Sequence, residues 1–250
     1  MKRRSITYAQ LHNSFYLLFL RNVSEQGWFR MRYPGGKVLF GMDTELIQVV
    51  SHHAEEVLGE EGFRYVCAVV ANCKMLALQL EAEEDAPTID MDALVVSAYL
   101  HDISTVEHGF HDHPRKSAEM AVEFLQDKQL PATQLARIEQ TLLAHTTVLT
   151  SEQRESTPIE AQLLFDADKL GRLSGLAVVT SLIEFGARYP NREVTGEVLA
   201  AILRHIEERF IELYQSLNTP PARDMAREKF HHTLAFLDGV IEHLSDATPV

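Results

Sequence analysis

From Phe63 onward the apolar residues of this 250-residue chain recur in steps of three and four, and that period leaves few folds open. Val66, Cys67, Val70, Cys73, Ala77 and Leu80 fall on one face of a helix. The acidic run Glu81 to Asp85, followed by Pro87, closes it. Leu94, Val95, Ala98 and Tyr99 mark a second helix. A third follows Pro114, with Ala118, Ala121, Phe124 and Leu125. A fourth follows Pro131, with Leu135, Ile138 and Leu142, and a fifth begins near Pro158, with Leu163, Leu164 and Phe165. Two long amphipathic helices, about 197–217 and 221–244, close the chain around a Thr-Pro-Pro turn. Proline at a helix start is favoured because its missing N–H would have no partner there anyway. The expectation is an all-α helical bundle over residues 46–250. Residues 1–45 read differently, as an N-terminal appendage. An amphipathic leading helix precedes two short strands, 28–33 and 38–42, around a Pro-Gly-Gly-Lys turn that predicts a β-hairpin.

Composition narrows the partners. The apolar share is 46% and the charged share 24%, which excludes bulk disorder and a disulfide scaffold. Cys67 and Cys73 lie six apart, a rotation of about 600°, so they point to different sides of a helix and cannot bridge. Reduced, core-filling thiols fit a cytoplasmic protein. Residues 1–40 carry +6 and the remainder −19, for a net −13. The acidic balance argues against a nucleic-acid polymer, whose phosphates need a basic face. The opposite charge of the N-terminal region fits intramolecular docking or a homo-oligomer. The apolar run from Phe15 to Leu20 is shorter than the roughly 7–15 residues of a signal-peptide core. No run approaches the ~18–20 residues that span a bilayer, so no membrane partner is expected.

Three places carry candidate chemistry. His101-Asp102 stands at the end of an apolar helix, where a relaxed last turn lets an imidazole and a carboxylate share a divalent ion; the alternative is a solvated helix end. His145 extends the stripe Leu135, Ile138, Leu142 inward, either as a ligand or as a core histidine satisfied by Thr146 and Thr147. Asp166 and Asp168, in Phe-Asp-Ala-Asp-Lys-Leu, are paired or metal-bound if buried, and solvated beside Lys169 if not. Between the first two places, residues 111–117 (HDHPRKS) combine His113, Lys116 and a helix start, a combination that can receive a phosphate or form a simple loop and cap.

Taken together, ALVVSAYLHDIS, HPRKSAEMAVEFL, IEQTLLAHT and LLFDADKLGRLSGLAVV, with the closing helix 218–244, resemble the HD-domain superfamily of metal-dependent phosphohydrolases, in its stand-alone bacterial branch. The resemblance runs from about Phe63 to Leu244. It implies a helical bundle around a divalent cation (Mn, Mg, Fe, Zn, Ni or Co), held by His101, Asp102 and Asp168, with Asp166 in reserve. Asp102, His113 and His145 would be catalytic, and Lys116 and Lys169 weaker phosphate contacts. The implied substrate is a nucleotide or another small phosphate ester. A histidine of the first helix completes the family's ligand set. Here Val69, Cys73, Leu76 and Ala77 match the pattern that follows it, and its position falls on Tyr65, with His52 and His53 upstream. Two alternatives follow: a ligand-binding or signalling protein without hydrolysis, and a di-iron oxygenase using His113 and His145.

Overall fold

The computed structural model describes residues 44–245 except Ser174, Arg192 and Val194. The expected N-terminal helix and hairpin lie outside these residues. Ten α-helices follow in order: α1 (Thr44–Glu81), α2 (Met91–Leu100), α3 (Thr105–His108), α4 (His113–Leu125), α5 (Ala132–Ala144), α6 (Ser151–Ser156), α7 (Ile159–Leu170), α8 (Gly175–Arg188), α9 (Gly196–Ser216) and α10 (Pro220–Ser245). One 3-10 turn, Gln126–Lys128, follows α4. Among the described residues there is no strand, and the fold is all-α.

Two helices form the centre: α2 is apolar nearly all round, and α7 buries Glu160, Gln162, Asp166 and Asp168 with hydrogen-bond partners beside its apolar residues. In α2, residues Ala93 to Ala98 and Leu100 are buried. Its start is fixed by Asp90, whose side chain accepts a hydrogen bond from the Ala93 N–H at 2.9 Å. In α7 every residue except Ile159 and Lys169 is buried. Each large aliphatic side chain withdrawn from water this way contributes about 2 kcal/mol. Leu94, Val95 and Ala98 join a cluster with α7, the second half of α1, α9 and α10. Ala93, Val96 and Leu100 join another with Leu46 and Val50 of α1, Ala118 and Ala121 of α4, and Ile138 and Leu142 of α5. The C-terminal end of α2 therefore arrives between two cores.

α1 contributes to both cores, its first turns to one and its second half to the other, and it breaks between them. Gly59 has φ 67° and ψ 179° inside it, a conformation essentially reserved for glycine. α1 is also long and apolar enough, over Glu45–Glu81, to cross a membrane by length and composition. In the fold that apolarity packs against α2 and α7.

Three helices escape the periodicity reading. α3 and α6 span four and six residues, too short for a repeating stripe. α6 is instead made by a capping box: Thr150 and Gln153 each accept from the other's backbone N–H. α8 is amphipathic but leaves Val179 and Ile183 exposed.

Candidate metal centre

The side chains of interest come from four places. His101 and Asp102 follow α2, His113 opens α4, His145 caps the C-terminal end of α5, and Asp168 lies in α7. The Ser104 hydroxyl bonds both the His113 carbonyl, at 3.2 Å, and the Ser117 hydroxyl, at 2.9 Å. This ties the turn after α2 to the first turn of α4 and brings His113 to Asp102.

The three imidazoles are oriented alike. Nδ1 lies 2.8 Å from the Ala98 carbonyl in His101, 2.9 Å from the Phe110 carbonyl in His113 and 2.6 Å from the Leu142 carbonyl in His145. A carbonyl only accepts, so each Nδ1 carries the hydrogen. In the neutral ring Nε2 is then left with a bare lone pair, the arrangement a metal-ligating histidine needs. His113 Nε2 lies 3.4 Å from Asp102 Oδ1, and His101 Nε2 lies 3.3 Å from Asp102 Oδ2. The second contact lacks hydrogen-bond alignment. Among the described residues, the buried Nε2 atoms of His101 and His145 have no hydrogen-bond partner. His145 is satisfied through Leu142 rather than through Thr146 or Thr147. One ligand atom each from Asp102, His113 and His145 fits within 4.8 Å of the others.

The electrostatics divide the histidines. Burial works to lower His101, but Asp102 outweighs it and raises the ring above its ordinary value. Burial, followed by the charge of His101, pushes His145 down to about 3, so its ring stays neutral. Burial works to raise Asp102, but His101 outweighs it and holds the carboxyl below its ordinary range. Burying a lone pair without a partner is costly, and a divalent cation held by Asp102, His113 and His145 would satisfy the Nε2 of His145. The donor set, one carboxylate with imidazoles, suits a borderline ion.

Asp168 is in different company. Its Oδ1 accepts from the Tyr65 hydroxyl and, at 3.3 Å, from the Arg172 guanidinium, while its Oδ2 accepts from the Lys169 ammonium. Burial would raise its pKa, but Lys169 and Arg172 hold it far below the usual carboxylate range. Asp166 serves the fold. It accepts from the Asn218 N–H at 2.7 Å and from the Thr219 N–H and hydroxyl at 2.8 and 2.7 Å, anchoring the turn into α10.

The remaining candidates stand elsewhere. His52 is exposed beside Glu56, at 3.3 Å. His53 stacks on Phe124 with ring centroids 3.8 Å apart. Lys116 is half-buried in the first turn of α4 and makes no ion pair among the described residues. The sequence reading missed Arg172. Its signal was the four-residue spacing from Asp168, which sets opposite charges over one another on a helical path.

The geometry meets known proteins at this point. No curated protein matches the chain. The family model for the HD domain matches residues 66–173. Among solved structures, Bacillus subtilis YpgQ is similar over 82% of this chain and 98% of its own, at 16% identity and TM-score 0.59. The same protein in complex with ADP is similar over 79% and 94%, at 17% identity and TM-score 0.56. A predicted HD superfamily hydrolase from an uncultured Thermotogales bacterium is similar over 81% and 93%, at 16% identity and TM-score 0.51. The segment that matches the HD-domain model runs from within α1 through α7, the stretch that supplies His101, Asp102, His113, His145 and Asp168.

Proposed function

We propose that the chain is a metal-dependent phosphohydrolase acting on a nucleotide or another small phosphate ester. The observation that supports it is the convergence of three imidazoles, each with its Nδ1–H committed to a backbone carbonyl, on the single carboxylate of Asp102. Asp102, His113 and His145 would hold the cation, and His101 offers a fourth nitrogen beside them. A divalent ion bound there supplies a Lewis acid for phosphoryl oxygen and acidifies a water molecule. Asp102 would hold the cation and could accept a hydrogen from water beside it. Lys169 and Arg172, both cationic and both on Asp168, bring positive charge to the same side of the centre and suit the charge that grows on a phosphoryl group. The capture of ADP by YpgQ, a protein of this fold, supports a nucleotide-sized ligand.

The test is elemental analysis of the purified protein together with phosphate release from a panel of nucleotides and simple esters. About one divalent ion per chain is expected, with turnover that Asp102→Ala abolishes. Full activity in Asp102→Ala would discard the assignment. The engagement of Asp168 by Tyr65 favours a second reading, a pocket that binds such a ligand without turning it over. A ligand-dependent rise in Tm with no phosphate released from any panel member would select that reading.

A further inference from the structure

We propose that this chain holds its cation without Asp168: Tyr65, Lys169 and Arg172 occupy that carboxylate in place of a metal, leaving a one-cation centre on Asp102, His113 and His145. The inference rests on the reading that the Asp102 cluster binds a divalent ion, and it says which acid takes no part.

The first argument counts acceptor sites. A carboxylate offers about four lone-pair positions. On Asp168 three are taken, two by cations and one by a hydroxyl. A divalent ion there would sit beside an ammonium and a guanidinium that already outnumber the carboxylate charge. Coulomb repulsion at such separations amounts to several kcal/mol even at an effective dielectric of about 20. Asp102 differs, because its near neighbours are the Nε2 atoms of His101 and His113, and among the described residues no lysine or arginine pairs with it.

The second argument concerns Tyr65. The resemblance to HD proteins places a ligand at this position. The phenol instead donates its hydrogen to Asp168, which a metal-bound phenolate could not do. The contact is held by the fold. Tyr65 packs against the main core, and Asn72, two turns on, donates to the Ala167 carbonyl at 3.2 Å, fixing α1 on α7 beside the acid.

The third argument concerns Arg172. Its side chain is half exposed, yet its guanidinium reaches the almost fully buried Asp168. A surface arginine with no stake in the site would extend into water.

The test is equilibrium dialysis of the full chain against manganese(II) chloride, with bound metal measured per chain. Wild type is expected to bind one ion. Asp168→Asn should retain it with Kd changed less than about threefold, whereas His145→Ala should weaken it by at least about 30-fold, a ligand loss being no milder than the 10–100-fold typical of ligand-supporting residues. Equal weakening in the two variants, both shown to be folded by thermal melts, overturns the inference while leaving the metal reading intact. A wild-type chain that binds no manganese overturns both. If Asp168→Asn does not fold, Tyr65→His combined with Lys169→Ala and Arg172→Ala carries the test. Freeing the acid and adding an imidazole should raise the stoichiometry from one to two, and a stoichiometry that stays at one overturns the inference.

Discussion

Asp102 and Asp168 are both buried aspartates of the segment that matches the HD-domain model, and their surroundings could hardly differ more. Around Asp102 stand imidazoles whose Nδ1 hydrogens are committed to backbone carbonyls and whose Nε2 atoms, in His101 and His113, meet the carboxylate at 3.3 and 3.4 Å. Around Asp168 stand a hydroxyl, an ammonium and a guanidinium, so the region is already neutralised by the chain itself. The difference teaches that the residue types in a pocket do not set its capacity for a cation. The number of lone pairs the protein has not already used sets it.

The comparison breaks most visibly at Asp102. Asp102→Asn should lower kcat/KM about a thousandfold, or about 4 kcal/mol of barrier, in line with the several kcal/mol a held cation supplies. Steady-state phosphate release checks it. Its counterpart, Asp168→Ala, should act on stability first. It strands Lys169 and Arg172 beside a cavity, and loss of one partner of a buried pair costs about 3 kcal/mol, read from the urea midpoint. An activity loss in Asp168→Ala as deep as that of Asp102→Asn, without loss of stability, would erase the contrast between the two regions.

A smaller effect tests the scaffold that brings Tyr65 to Asp168. Gly59→Ala should cost about 2 kcal/mol by urea titration, because alanine tolerates φ 67° with ψ 179° poorly. Open space surrounds the position, so the cost is backbone strain rather than a clash.

The smallest effect is a pH dependence that sharpens the Asp102 side. His145 is held neutral in the fold, at about 3 against 6.5 in the unfolded chain. The unfolded state therefore binds more protons between these values. The stabilising contribution is fully present above about pH 6.5 and is lost as the pH falls toward the folded value. Metal-free protein should lose about 1 kcal/mol between pH 7.5 and 5.5, and His145→Gln should flatten that slope. Thermal or urea unfolding in the presence of a chelator measures it.

Much of the fold was legible because helices announce themselves through local spacing. The stripes of α1, α2, α4, α5, α7, α9 and α10 stand in the sequence with their prolines and acidic stops. α3 and α6 were not legible, since one or two turns hold too few residues to show a period. The choice between Asp166 and Asp168 was also hidden. Both continue the apolar stripe of α7, and only the arrival of Asn218 and Thr219, more than fifty residues on, commits Asp166 to the turn into α10.

The sequence by itself determined a helical bundle, the His-Asp pair at the end of an apolar helix, and the family that this order of motifs resembles. These rest on residues a few positions apart, where helical geometry fixes which side chains share a face. Only the tertiary structure decided which nitrogen of each histidine faces a backbone carbonyl, which acid meets imidazoles and which meets a lysine and an arginine, and that a tyrosine on α1 reaches Asp168. Those outcomes depend on directional hydrogen bonds between distant segments, and a one-dimensional pattern carries no direction.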